Sequence, residues 1–193
     1  MNTFKELGYT VVPNIISQEL AEFLSLEFEL TKKCMFLIKG KKDGEFMGDV
    51  QVHNSFAIYS LSCFETLLLK LTPKVETIIE KKLYPAYSYA RIYYNGAIME
   101  SHRDRPSCQY SVTITLSIDE TPWPIWIESF NGDKSKIELP VGSALVYSGD
   151  KLDHWRDTYS GKEQMQVFLH YVDQDGEYKD YKYDKRPELG LFK

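Results

Sequence analysis

The chain has 193 residues, 43% hydrophobic and 14% aromatic, with a formal net charge of −5. That is enough apolar material for one folded domain, and it excludes a disordered chain. The negative balance argues against a protein whose main partner is a phosphate backbone, so nucleic acid is an unlikely partner. The three cysteines, Cys34, Cys63 and Cys108, are widely spaced with no CxxC pair, which suggests neither a disulfide framework nor a zinc finger.

Taken in chain order, the N-terminal MNTFKELGYT is too polar for a signal peptide, and no apolar run approaches the length of a membrane span. The default expectation is a soluble, cytoplasmic protein without membrane contact. LGYTVVPNIIS reads as a short strand and turn, with Ser17 as N-cap of a helix in which Leu20, Phe23, Leu24 and Phe28 form a core-facing stripe. Residues 39–49 are rich in glycine and lysine and read as a loop. CFETLLLKL is helical, and TPKVETIIEKKL restarts a helix with Thr72 as cap and Pro73 at its first position.

From Tyr84 the texture changes. YSYARIYY, YSVTITLSI, PIWIESF, KIELPV, SALVYS and QMQVFLHYV are short β-branched or aromatic runs separated by turn residues. Several strands at that spacing predict a β-sandwich or jelly roll packed against the helical first part, with no linker between them. The charged tail from Gln174 is expected on the surface.

One stretch carries chemistry. In MESHRDRPS, His102 and Asp104 stand two apart and share a face if the chain is extended. A third candidate, His154, follows the strand–turn–strand pattern LPVGSALVYSG. Two histidines and a carboxylate match the composition of a facial triad, which leaves open positions on a divalent metal and suits Fe(II) oxygenases. On spacing alone, a loop histidine and a turn-capping carboxylate explain the pair as well.

The chain resembles the 2-oxoglutarate and Fe(II)-dependent dioxygenases, in particular the prolyl-hydroxylase-like branch. The resemblance spans nearly the whole sequence: LGYTVVPNIISQELAEFL, the Y-x-x-G…H-x-D pattern of Tyr93, Gly96, His102 and Asp104, LPVGSALVYSGDKLDHW, and the final strand SGKEQMQVFLHYVD. It implies an α+β fold: a double-stranded β-helix (jelly roll) with N-terminal helices packed against the major sheet, as one oxygenase domain over residues 1–193. It also implies Fe(II) on His102, Asp104 and His154, 2-oxoglutarate and O₂ as cosubstrates, and ascorbate as a possible reductant. The expected activity is hydroxylation of a peptide, protein or free amino-acid substrate, with a prolyl side chain first. Asp104 as a ligand leaves no vacancy for halide, so halogenation is not expected. The alternatives are a jelly-roll binding protein without turnover and a cupin-like isomerase.

One position departs from the pattern. The resembling family places an Arg or Lys about ten residues after the distal histidine to grip the far carboxylate of 2-oxoglutarate. Here that position is Gln164. Lys162 and Arg91 are the substitutes considered. Arg91 shares a strand face with Tyr93 and offers a bidentate fork, so it is favoured. Gln164, Gln166 and His170 alternate on one face of the last strand and are expected to line the pocket. Arg105 is placed at the pocket mouth, and Trp126 and Trp155 are weak candidates for a substrate wall. Trp123 and Cys108 are expected to pack, and His53 to be structural or exposed. The non-coordinating nitrogens of His102 and His154 are expected to meet an acceptor.

Overall fold

The computed structural model describes residues 3–38, 49 and 51–191, so most of the expected 39–49 loop lies outside the described residues. After the short helix α1 (Thr3–Leu7) come β1 (Tyr9–Val12), α2 (Gln18–Ile38), β2 (Ser55–Tyr59) and α3 (Ser62–Ile79). The β-rich part follows: β3 (Leu83–Tyr94), β4 (Met99–His102), β5 (Tyr110–Ile118), β6 (Ile125–Glu128), β7 (Lys134–Ile137), β8 (Ala144–Ser148), β9 (His154–Arg156) and β10 (Glu163–Asp173). Six strands form a major sheet in the order β1-β8-β5-β10-β3-β2, and four form a minor sheet in the order β4-β9-β6-β7. All pairs are antiparallel. The two sheets make the expected jelly roll.

Alternation decides what each face of the major sheet does. On β10, Met165, Val167, Leu169 and Tyr171 join the core formed with α2 and α3. On β5, Tyr110, Val112, Ile114 and Leu116 do the same. The intervening residues point to the space between the sheets, where Tyr93, Leu145 and Tyr147 of the major sheet pack with Met99, Ile125 and Ile127 of the minor one. Both faces of the central strands are therefore buried, unlike an antiparallel sheet with one wet side.

The helices differ from expectation in two places. Ser17 caps α2 through its Oγ, which accepts from the Leu20 N–H at 3.2 Å. The buried stripe, however, is Ala21, Leu24, Phe28, Lys32 and Phe36. Phe23 is 63% exposed, because consecutive helical residues point about 100° apart and Leu24 takes the core position. In α3, Pro73 lies inside a continuous helix and Thr72 caps nothing. Leu68, Leu71, Val75 and Ile79 carry an unbroken buried stripe across the proline, and that packing outweighs the lost hydrogen bond. Thr72 instead donates its hydroxyl to the Leu68 carbonyl at 2.9 Å.

The tail is not simply a surface segment. Asp184 and Arg186 are buried, and Arg186 pairs with the buried Glu65 at 3.0 Å. Asp184 accepts from the Tyr59 hydroxyl at 2.8 Å and from Arg105 Nη2 at 3.0 Å. Charged tail residues can be buried here because each meets an opposite charge or donor already on the sheet. No helix of the described residues is long and apolar enough to cross a membrane.

Candidate metal centre

His102 ends β4 and His154 begins β9, and the two residues are direct cross-strand partners in the minor sheet. They are thus neighbours, and their rings lie 4.3 Å apart between centroids. Asp104 follows in the next loop, where its backbone N–H donates to the Gly149 carbonyl at 2.8 Å. Its Oδ1 stands 3.8 Å from His102 Nε2 and 3.7 Å from His154 Nε2. One nitrogen from each histidine and one carboxylate oxygen all lie within 4.8 Å of one another. Two imidazole nitrogens and one carboxylate oxygen on one side of an open cleft fit a divalent transition metal.

The surroundings fix that arrangement. The Nδ1 of His102 meets the Glu100 carbonyl at 2.8 Å, and the Nδ1 of His154 meets the Leu152 carbonyl at 3.0 Å. A carbonyl only accepts, so each Nδ1 carries the proton and each Nε2 keeps its lone pair for a ligand. Burial holds His154 below its ordinary pKa, against the pull of Asp104, which keeps the ring neutral. The Tyr147 ring packs edge-on against His154 at 4.8 Å. Gln51 donates its amide to His102 Nε2 at 3.0 Å.

Asp104 is held by a relay. The Ser111 hydroxyl donates to Asp104 Oδ2 at 2.8 Å and lies 2.9 Å from His170 Nδ1. Ser111 has one proton and gives it to Asp104, so His170 Nδ1 is the donor to Ser111. Burial pushes His170 down to about 4. Gly149 is needed for space: a Cβ there would stand 2.3 Å from Asp104 Oδ2 and 2.5 Å from the Cys108 carbonyl.

The cleft above His102, Asp104 and His154 has a volume of about 280 Å³, and its walls include Tyr59, Tyr87, Tyr89, Arg91, Tyr93 and Arg105. Arg91 and Tyr93 sit in this wall as the strand-face argument expects. Arg91 is already engaged, forming an ion pair with Asp49 and lying 3.4 Å from Gln51 Oε1. Burial pushes the Asp49 carboxyl up, but Arg91, the Tyr89 hydroxyl and the Val52 and Gln51 N–H groups together hold it below the ordinary carboxylate range. Arg105 lies at the mouth, over the Tyr87 ring at 4.6 Å. Cys108 is buried, with its thiol 3.0 Å from the Tyr87 hydroxyl, and His53 is exposed.

Other candidates lie elsewhere. Lys162 is exposed outside the cleft, because β10 begins only at Glu163 and the alternation does not reach it. Gln166 faces inward, but its amide is spent on Thr113 at 3.1 Å and Thr115 at 2.9 Å. Gln164 is buried against a separate small cleft beside Trp123, and its Oε1 has no partner among the described residues. Trp126 and Trp155 are not a cleft wall. They stack on each other at 5.7 Å, with Lys136 and Lys134 over their rings, since both point away from His154 on the minor sheet. Sequence reasoning missed Ser111, Asp49, Gln51 and Arg156. For Arg156 the available signal was its two-residue spacing from His154 in HWR, which puts both on one strand face. Burial pushes the Arg156 guanidinium down to about 10.

No family model matches the chain, and no curated protein matches it. Solved structures do. HygX from Streptomyces hygroscopicus, crystallised with nickel, 2-oxoglutarate and hygromycin B, superposes with a TM-score of 0.68 at 13% identity, covering 90% of this chain and 86% of that one. A Pseudomonas putida prolyl-4-hydroxylase gives a TM-score of 0.65 at 12% identity, covering 88% of this chain and 95% of that one. The non-heme alpha-ketoglutarate-dependent epimerase SnoN from nogalamycin biosynthesis gives 0.66 at 11% identity, covering 88% and 79%. The fold is that of the 2-oxoglutarate and Fe(II)-dependent oxygenases.

Proposed function

We propose that this protein is an Fe(II)- and 2-oxoglutarate-dependent oxygenase, acting as a hydroxylase on a prolyl or other amino-acid side chain. The observation that carries the reading is the convergence of His102 Nε2, His154 Nε2 and an Asp104 oxygen at the floor of an open cleft. Each histidine is locked in the tautomer that leaves Nε2 without a proton. Ser111 and His170 hold the second Asp104 oxygen, so the carboxylate presents the first toward the metal.

When bound, the metal and its cosubstrate supply the oxidising power: 2-oxoglutarate, O₂ and a C–H bond become succinate, CO₂ and a C–OH bond. The chain positions the C–H bond and keeps water away from it. Tyr59, Tyr87 and Tyr89 give the outer cleft aromatic walls, and Arg105 adds a charge at the mouth. Such walls suit a ring or aliphatic side chain presented by a peptide or a free amino acid. The likeness to a prolyl-4-hydroxylase supports proline as first choice. The likeness to an epimerase marks how far one fold reaches in outcome.

The test is succinate release from 2-oxoglutarate in air with Fe(II) and ascorbate, with and without proline-containing peptides. Wild type is expected to release succinate and Asp104→Ala to release none. Equal release by both, or none by wild type with any candidate substrate, overturns the reading.

A further inference from the structure

Arg156 is an arginine buried between the sheets without a counter-charge among the described residues. The other described arginines each hold a carboxylate: Arg91 with Asp49, Arg103 with Asp153, Arg105 with Asp184 and Arg186 with Glu65. Arg156 is 2% exposed, and no ion pair is formed by it among the described residues. Its Nη1 donates to the Trp123 carbonyl, while its Nη2 is also buried and has no partner among the described residues. Its guanidinium lies 4.9 Å from the Trp123 ring centroid. The Tyr93 ring packs against the same indole, at 4.8 Å, and the Tyr93 hydroxyl is a second buried group without a partner among the described residues.

Leaving a guanidinium N–H and a hydroxyl dry and unpaired is costly, and both residues pack against one indole. A single anion accepting from both would remove both costs. The position also fits the metal centre. Arg156 shares the inward face of β9 with His154 and lies two residues along it, a step of about 6–7 Å. Tyr93 lines the same cleft as His102 and His154. A short dicarboxylate chelating a metal through one end would therefore bring its other end toward Arg156 and Tyr93. Arg91, beside Tyr93 on β3, is already neutralised by Asp49.

We propose that Arg156, with the Tyr93 hydroxyl, binds the carboxylate of a 2-oxo dicarboxylic acid remote from its metal-chelating end. This rests on the reading of His102, Asp104 and His154 as a 2-oxo-acid-binding metal site. Arg156 is a cosubstrate-binding residue in this assignment, and Arg91 serves the outer cleft through Asp49.

Calorimetric titration of the Mn(II)-loaded protein with 2-oxoglutarate and with pyruvate, which lacks the remote carboxylate, tests it. Wild type is expected to prefer 2-oxoglutarate. Arg156→Met is expected to lose roughly a hundredfold or more in 2-oxoglutarate affinity, with pyruvate and Mn(II) binding unchanged. Arg91→Met is expected to keep the preference. Arg156→Lys, which retains a cation, is expected to fall between. The assignment is overturned if Arg156→Met still prefers 2-oxoglutarate by the wild-type factor, or if Arg91→Met loses that preference instead. It is also overturned if the Arg156 variants lose Mn(II), pyruvate and 2-oxoglutarate binding alike, since the residue is then structural. Wild type that binds both acids equally removes the remote-carboxylate site and leaves the metal reading standing. Wild type that binds Mn(II) and neither acid removes both.

Discussion

The two faces of the central strands β5 and β10 are both largely buried and differ in chemistry, apolar toward the helices and mostly polar toward the minor sheet, where Phe168 is half-buried. Toward α2 and α3 they present Val112, Ile114, Leu116, Met165, Val167 and Leu169, none more than 3% exposed. Toward the minor sheet they present Ser111, Thr113, Thr115, Gln164, Gln166 and His170, none more than 5% exposed. Burial alone does not explain the second set, because polar groups cost free energy inside a protein unless they are paired. Some are paired with each other: Gln166 with Thr113 and Thr115, and His170 with Ser111. The Ser111 hydroxyl in turn donates to Asp104, at the candidate metal centre. One face is built for packing and the other for holding a site, and a two-residue period in the sequence separates them.

That contrast can be broken from either side. The largest effect is expected from Leu169→Ala, which opens a cavity on the helix-facing side and should cost about 2–5 kcal/mol of stability. Mn(II) affinity, measured by titration of the folded variant, should not change. On the other face Ser111→Ala removes little volume but frees Asp104 Oδ2. It should weaken Mn(II) binding by about 10- to 100-fold. A variant with wild-type affinity would show that Asp104 needs no such support.

The smallest effect is a pH dependence. Burial holds His170 at about 4, below its ordinary value of 6.5. As pH falls below 6.5 the unfolded chain takes up a proton that the folded one refuses until about pH 4. Stability is therefore fully present above pH 6.5 and lost as pH falls from there toward 4. His154 is also depressed and adds to the same trend. The His170 share between pH 7 and pH 5 is about 1–2 kcal/mol. In His170→Gln, the fall in melting temperature of the metal-free protein over that range should be smaller than in wild type. An equal fall would mean that His170 is not the neutral, buried group described.

Much of this was legible in the chain itself. YSVTITLSI and QMQVFLHYV show the alternation directly, and the HxD pair with a distal histidine points to the three residues that the structure brings together. Register was not legible: nothing local says that His102 and His154 pair across two strands. Arg156 escaped because an arginine beside a tryptophan reads as surface charge until the strand direction is fixed. Phe23 and Pro73 failed for a related reason. Which apolar residue a helix buries, and whether it runs through a proline, is decided by what packs against it. The tail misled in the same way, since Asp184 and Arg186 find partners on β2, α3 and the loop after β4, far away in sequence.

The most direct test of the central claim is thermal melting in four states: metal-free, with Mn(II), with 2-oxoglutarate, and with both. A ligand at a hundredfold excess over its dissociation constant stabilises the folded state by about 2.7 kcal/mol. Mn(II) should raise the melting temperature of wild type, and 2-oxoglutarate should raise it further only when Mn(II) is present. Asp104→Ala should respond to neither. A wild-type protein whose melting temperature is the same in all four states would contradict the account.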